Sequence, residues 1–481
     1  MPNLESLSRE ELEELVRVLW TEVQQLRSLL EEKEGPLPPG AEATGQVPSW
    51  VKPNRPKQAE GSDTPAPERK KRARGFGRRC EEPTESIKHR LENCPDCGHK
   101  LAGGWAHSTR QIITVPQVQY QVIEHVMMRH RCGVCGKEWV CKPDLSEEVV
   151  GRSRFGIELM AEVAHLATEA RMPRETIQSW FSVKHGLHIS EGGITGILHR
   201  VAALGKSLVE EVLSSLRGGA FVHADETGWR ENGRNSYLWS VSRPDCRYYH
   251  IDRSRGSAVI EGLLGEEYSG IVVADFYSGY SPLGCLKQRC WVHLLRDVKA
   301  LRDAHPKNAS IAKWSEGIQS LYESAKAYQS EQLALLERDR LAGQEAPNPL
   351  GRASGVRARK REEFERALMA LVKRYRKHEN PRRRLAKRME GFLPELFLFV
   401  ECPEVPPENN AAERAIRPAV VARKVSGGTR SPRGSETKAI LMTLWGTWRV
   451  RGMNPLQACR ELLASTPAPQ LVSAQRAPTP A

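Results

Sequence analysis

The sequence predicts a multidomain α/β protein: a mixed-sheet core with a helical insertion, preceded by a coiled-coil helix, a zinc ribbon and a helix-turn-helix. Three observations predict it. Short runs rich in β-branched and aromatic residues cluster after residue 220. The block 307–395 is charged and helical with no strand signal, and two Cys-x-x-Cys-Gly motifs stand well before both. A chain of 481 residues has room for about three domains. Its 72 Lys and Arg against 59 Asp and Glu leave a net charge of +13, which favours polyanionic partners, nucleic acid first. With 39% hydrophobic residues the chain can build real cores. No apolar run is long enough to span a membrane, and the acidic amphipathic start does not read as a signal peptide. The expectation is a cytoplasmic, nucleoid-associated protein. Eleven cysteines in such a chain point to metal binding before disulfides.

Residues 1–34 read as a leucine-zipper-like helix. Leu12, Leu19 and Leu26 recur every seven residues, with Val16, Val23 and Leu30 between them, on one stripe suited to self-association. Residues 35–80 are a linker; eight prolines among polar residues in 35–68 leave little to bury. The linker ends in a basic run, Lys70, Lys71, Arg72, Arg74, Arg78 and Arg79, a candidate for phosphate contacts. Residues 81–150 hold the cysteine motifs. Residues 151–216 read as three helices, Gly156–Glu169, Arg174–Lys184 and Glu191–Ala203, with Gly186 breaking the second and Ser190 capping the third. That pattern suits a helix-turn-helix as well as a packing-only bundle.

From 217 to 463 the signal is mixed. AFVHAD, YLWSVSR and CRYYHID read as strands, Ser257–Leu264 as a helix, IVVAD as a strand ending at Asp275, and LKQRCWVHLL as a strand entering a helix. Within the insertion, 352–388 carries fifteen Lys or Arg and four Glu, nearly the whole excess charge of the protein. Residues 464–481 read as a frayed tail.

Two constellations carry chemistry. Cys94, Cys97, Cys132 and Cys135 form two C-x-x-C-G knuckles with 34 residues between them. Each knuckle clasps a metal with two thiolates, and two complete a tetrahedral structural zinc site. The stretch between them is β-prone, as a ribbon requires; Cys141, His99 and His130 are alternative ligands. The second constellation is acidic. Asp225 and Asp275 each close an apolar strand, where α/β proteins place their sites. Adjacent carboxylates repel, and two Mg2+ ions would hold them ionised and activate water or a hydroxyl for attack on a phosphodiester. A third carboxylate lies beyond the insertion. Glu413, with Asn410 and Arg417 three and four residues away, shares one face of a helix that begins after Pro406 and Pro407. Arg414 and Arg417 are candidates for substrate phosphates. Glu226 points away from Asp225 and is left out. His293 reads as a buried, hydrogen-bonded histidine.

HADET at 223–227, ADFYSGY at 274–280, CWVH at 290–293 and NNAAERAIRP at 409–418 resemble the catalytic blocks of bacterial insertion-sequence transposases of the sixty-six family. The resemblance runs from the N-terminal helix to about Leu463. It implies a ribonuclease-H-like core, an Asp-Asp-Glu triad on Asp225, Asp275 and Glu413 binding two Mg2+ or Mn2+ ions, and a helical insertion before the Glu. It further implies a transposase that binds terminal inverted repeats and target DNA, works as a homodimer or higher assembly, and in some cases uses small accessory proteins. The rival expectations are a DNA-binding protein without catalysis and a structure-specific nuclease of the same fold.

Overall fold

The structure, a computed structural model, describes residues 82–464 apart from 104–105, 108, 114–118, 142, 342–354 and 378. The zipper-like helix at 1–34, the linker with Lys70, Lys71 and Arg72, and the tail beyond Ala464 lie outside the described residues. The chain divides into two units, 1–113 and 114–481, with the boundary between the two cysteine knuckles. In the first, the knuckle at Cys94 is closed by an antiparallel bridge between Asn93 and Lys100. In the second, strands β1 (Arg129–Arg131) and β2 (Glu138–Val140) pair antiparallel around the knuckle at Cys132. Of the β-prone stretch 111–132, the described residues form strand only there.

Four helices follow: α1 (Ile157–Thr168), α2 (Arg174–His185), α3 (Glu191–Leu204) and α4 (Lys206–Arg217). Their ends obey local chemistry. Gly186 closes α2 in the left-handed region that glycine tolerates, and the Ser190 hydroxyl accepts from Gly193 N–H to cap α3.

The second unit is built on a five-stranded sheet ordered β5-β4-β3-β6-β7. β3 (Phe221–Glu231), β4 (Arg234–Arg243) and β5 (Cys246–Asp252) are antiparallel neighbours, and β6 (Ile271–Ala274) and β7 (Leu286–Arg289) pair parallel on the other side of β3. A parallel neighbour needs a crossover, which here carries α5 (Ser257–Leu264). The expectation that Asp225 closes its strand is corrected. β3 runs six residues further, because Glu226–Glu231 pair with β4 through a two-residue turn at Asn232 and Gly233. Both turn residues have positive φ, 49° and 73°, the conformation that matches strand twist.

After β7 come α6 (Trp291–Ala304), α7 (Ala309–Leu341), α8 (Gly355–Val372), α9 (Arg383–Gly391) and the short α10 (Leu393–Leu396) and α11 (Leu398–Glu401). The insertion is a packed body. Trp291, Leu294 and Val298 of α6 share one core with Ile318, Leu368, Met389, Phe397 and Phe399. The chain then returns to the sheet as α12 (Asn410–Ser426) and ends in α13 (Pro432–Val450) and α14 (Pro455–Ala464).

Two features differ from the sequence reading. The three-helix segment shares its core with the C-terminal helices, since Met160, Phe181, Ile194 and Val201 bury against Leu444, Trp445, Trp448 and Leu463. No core boundary therefore coincides with residue 216. After α12, Gly428 at φ 111° lies so close to the Arg230 carbonyl that any Cβ would collide with it. Thr429 pairs with the end of β3 there.

Candidate active site

The ladder between β3 and β6 pairs Phe221 with Ile271, Val222 with Val272 and His223 with Val273, an offset of 50. Asp225 and Asp275 are separated by the same 50 residues. They therefore stand at one level of two adjacent parallel strands, just beyond the last paired residues. Both share the parity of His223 and Val273, so the pleat directs them to one face. That face is covered by the chain around α12: the His223 ring meets Asn409 Oδ1 at 3.0 Å, and Val273 packs on Leu398 and Val405.

Asn409 precedes α12 and is fully buried. Its side chain donates to the Ala224 carbonyl at 2.8 Å, and its backbone N–H donates to Cys290 Sγ at 3.1 Å. Trp291 N–H donates to the Pro407 carbonyl at 2.9 Å. The start of α12 is thereby tied to β3 beside Asp225 and to the end of β7, and Glu413 follows one turn later. Asp275 is held from below. Buried Arg289 donates to the Asp275 carbonyl at 2.7 Å and pairs with Glu395, while Asp275 Oδ1 accepts from Tyr277 N–H at 2.8 Å.

Electrostatics connect the three acids. The Asp225 carboxyl is pushed up to about 8, first by burial, then by Glu226, Asp275 and, less strongly, Glu413. Its only hydrogen-bond donor among the described residues is the Glu226 N–H at 2.9 Å. The side chains do not close on one another: among the described residues no three acidic, His or Cys side chains are close enough to hold a metal as they stand. The donor set nevertheless suits a hard divalent cation, because carboxyl oxygens are hard donors and a cation among them would relieve the repulsion that opposes ionisation of Asp225.

Glu226, on the opposite face as the alternation predicts, is fully engaged. Arg255 donates to it twice, at 2.7 and 3.1 Å, and the Tyr280 hydroxyl donates to its other oxygen. Arg255 in turn lies 3.9 Å from the Tyr277 ring centroid.

His293 departs from its sequence reading. Its side chain is 30% exposed, its Nε2 is 3.6 Å from Glu413 Oε1, and its buried Nδ1 has no hydrogen-bond partner among the described residues. It stands beside the third carboxylate because Cys290 and Asn409 dock the start of α6 against the start of α12. Sequence reasoning also gave no role to Asn409, Arg289 or the Arg255–Tyr280 pair, although Asn409 and Tyr280 lie within the NNAAER and ADFYSGY blocks and Arg289 immediately precedes CWVH. Asn410 is turned to Glu408 at 2.6 Å, which also binds Lys326 of α7. Arg414 and Arg417 are exposed on α12.

The two knuckles, each within its own unit, repeat one geometry. Cys94 N–H donates to His99 and Cys132 N–H to Lys137, both at 2.8 Å. Gly98 and Gly136 N–H return to Cys94 and Cys132, with φ of 72° and 69°. Backbone N–H groups, those of Cys97 and Cys135 foremost, lower the pKa of Cys94 and Cys132. Each knuckle thus favours the thiolate form of its first cysteine by its own backbone.

Comparison with known proteins places this geometry. The sequence profile described as Transposase IS66 family matches residues 152–437, which include Asp225, Asp275 and Glu413. The chain belongs to the IS66 transposase family. Both knuckles precede the family match, and the last part of α13 and all of α14 follow it. Two relatives from Sinorhizobium fredii (strain NBRC 101917 / NGR234) are similar along much of their length. Uncharacterized protein y4qI is 24% identical over 351 residues, 63% of this chain and 61% of its own length. Uncharacterized protein y4hP is 22% identical over 402 residues, 77% of this chain and 70% of its own. The match to y4qI thus spans less than two thirds of that relative.

The raised Asp225 pKa makes a signed prediction for this IS66 family member in EDTA. A carboxyl held above its unfolded value contributes stability that is present below about pH 4 and lost as pH rises through about 8. Asp225→Asn should therefore be more stable than wild type at about pH 8 and nearly equal to it at about pH 4. Urea unfolding at the two pH values measures this. A variant less stable than wild type at the higher pH would contradict it.

Proposed function

We propose that this chain is a DNA transposase that binds the terminal inverted repeats of its element and catalyses metal-dependent strand cleavage and strand transfer. Asp225, Asp275 and Glu413 are its catalytic carboxylates. The observation that carries this reading is the level placement of the two aspartates on adjacent parallel strands, with the Glu413 helix docked over the same face. The sheet order, three antiparallel strands followed by two parallel ones, supports a ribonuclease-H-like core. Family membership supports DNA as the substrate.

The three carboxylates would hold Mg2+ or Mn2+, two per site. Bound divalent ions supply Lewis acidity to an attacking water or 3′ hydroxyl and to the departing 3′ oxygen. The chain's own work is positional. Asn409 and Arg289 fix the segments that carry the acids, so little reorganisation is required when a phosphodiester arrives. His293, whose imidazole stands 3.6 Å from the Glu413 carboxylate, helps to position that side chain. Exposed Arg414 and Arg417 contact substrate phosphates, while Asn410, held by Glu408, orders the first turn of α12. No nucleophilic Ser or Tyr is required.

The other segments take supporting roles. The helices of 151–216 and the zinc ribbon of 81–150 bind the element ends, and the basic insertion at 307–395 lies along DNA backbone, joined by Lys70, Lys71 and Arg72. The heptad helix at 1–34 pairs two chains, because both ends must be processed together. Small accessory proteins are candidate partners. The ribbon's four thiolates, Cys94, Cys97, Cys132 and Cys135, take Zn2+. About one zinc per chain is expected, lost on Cys94→Ser and Cys132→Ser alike. Metal analysis that finds no zinc in wild type, or undiminished zinc in both variants, removes the ribbon from this account.

End cleavage tests the function. Protein is incubated with labelled DNA carrying the flanking inverted repeat, in Mg2+ or in EDTA. Nicking at the repeat boundary should require the metal and fall at least about a hundredfold in Glu413→Gln, with DNA binding retained. Binding without cleavage in any metal would instead favour a DNA-binding protein, and cleavage of branched DNA regardless of end sequence a structure-specific nuclease.

A further inference from the structure

Away from the carboxylates, the structure assembles a cationic cluster from segments far apart in sequence. Arg171 follows α1 and Arg174 opens α2, while Arg433 and Lys438 lie on α13. Two contacts pin the start of α13 to the helical segment. The His199 ring meets Thr437 Oγ1 at 2.7 Å, and Lys206 pairs with Glu436 at 2.6 Å. The cations are thereby brought within electrostatic reach. Arg171 and Arg174 both bear on Lys438, whose pKa burial and these two charges push down to about 8, and Arg174 and Arg433 both bear on His199.

Among the described residues, none of these four side chains has an ion pair. Two nearby acids are held by other cations, Glu169 by Arg449 and Glu436 by Lys206. Arg171 Nε is buried without a hydrogen-bond partner among the described residues. Arg171 lies two residues past the Glu169 cap of α1, with φ 58°. Met172 N–H returns to the Leu166 carbonyl across this turn, and the left-handed backbone at Arg171 is the kind that glycine adopts without strain. The chain thus carries a long cationic side chain where glycine would be the relaxed choice.

We propose that Arg171, Arg174 and Lys438, with Arg433 beside them, form a binding site for the backbone phosphates of DNA, shared between the helical segment and α13. The inference rests on the transposase reading for its ligand class and adds the place of contact. Like charges held together with an unpartnered donor are stabilised by an anion, and a row of phosphates satisfies several cations at once. The grip on DNA thus includes the C-terminal helix that shares its core with the three-helix segment.

The test uses the full chain and a labelled duplex of arbitrary sequence, with affinity measured across a salt series. The variant Arg171→Gln/Arg174→Gln/Lys438→Gln should reduce the salt slope by about two to three units. Lys438→Arg should retain the wild-type slope, while Lys438→Gln loses about one unit. Arg171→Gly separates binding from folding: it relieves the left-handed strain, so it should melt at a higher temperature and yet bind DNA more weakly. An Arg171→Gly protein that binds as wild type does, or a triple variant with an unchanged slope, overturns the site. A wild-type chain that binds no duplex at any salt overturns the transposase reading, and this site with it.

Discussion

Asn409 is the interaction on which the active-site geometry depends. A buried primary amide is costly to desolvate unless its donor and acceptor are both used. Asn409 uses both on β3, donating to the Ala224 carbonyl and meeting the His223 ring, while its backbone N–H reaches Cys290 after β7. The sheet register sets where Asp225 and Asp275 stand relative to each other. It says nothing about the chain arriving from the insertion, and Asn409 supplies that constraint one turn before Glu413. Arg289 plays the matching part for Asp275, gripping the main chain of its loop from inside the core.

The distribution of charge follows the same division. On one face of β3, Arg255 and Tyr280 satisfy Glu226 completely. On the other, Asp225 has burial and neighbouring acids against it and no cation among its partners. Adjacent residues of one strand thus have opposite fates. Glu226 is a structural ion pair, and Asp225 is a buried carboxyl with acids for neighbours. In a protein of net charge +13, this separation leaves a cluster of acids on the face that the proposed function assigns to catalysis.

Much of this was legible in the sequence wherever the signal was local. Gly186 and Ser190 bound their helices as expected, and CRYYHID forms the strand Cys246–Asp252. Each cysteine knuckle closes around its own glycine. What failed was what depends on distant partners. Glu226–Glu231 look like turn residues by composition, and only pairing with β4 through Asn232–Gly233 makes them strand. The three helices of 151–216 look independent, yet Leu444, Trp445 and Leu463 complete their core. The spacing of 50 between the aspartates was readable as a number, but its meaning as a strand register was not. His293 lacked any periodic signal that would aim it at Glu413.

Manganese binding by the intact chain tests the central claim most directly, since it asks whether three acids from separate segments form one cation site. Titration calorimetry of metal-free protein with Mn2+ would compare wild type with Asp225→Asn, Asp275→Asn and Glu413→Gln. One shared site predicts saturable binding in wild type that each substitution weakens at least about tenfold, a change of about 1.4 kcal/mol. Binding left intact by all three substitutions, or absent from wild type while the fold is retained, would contradict it.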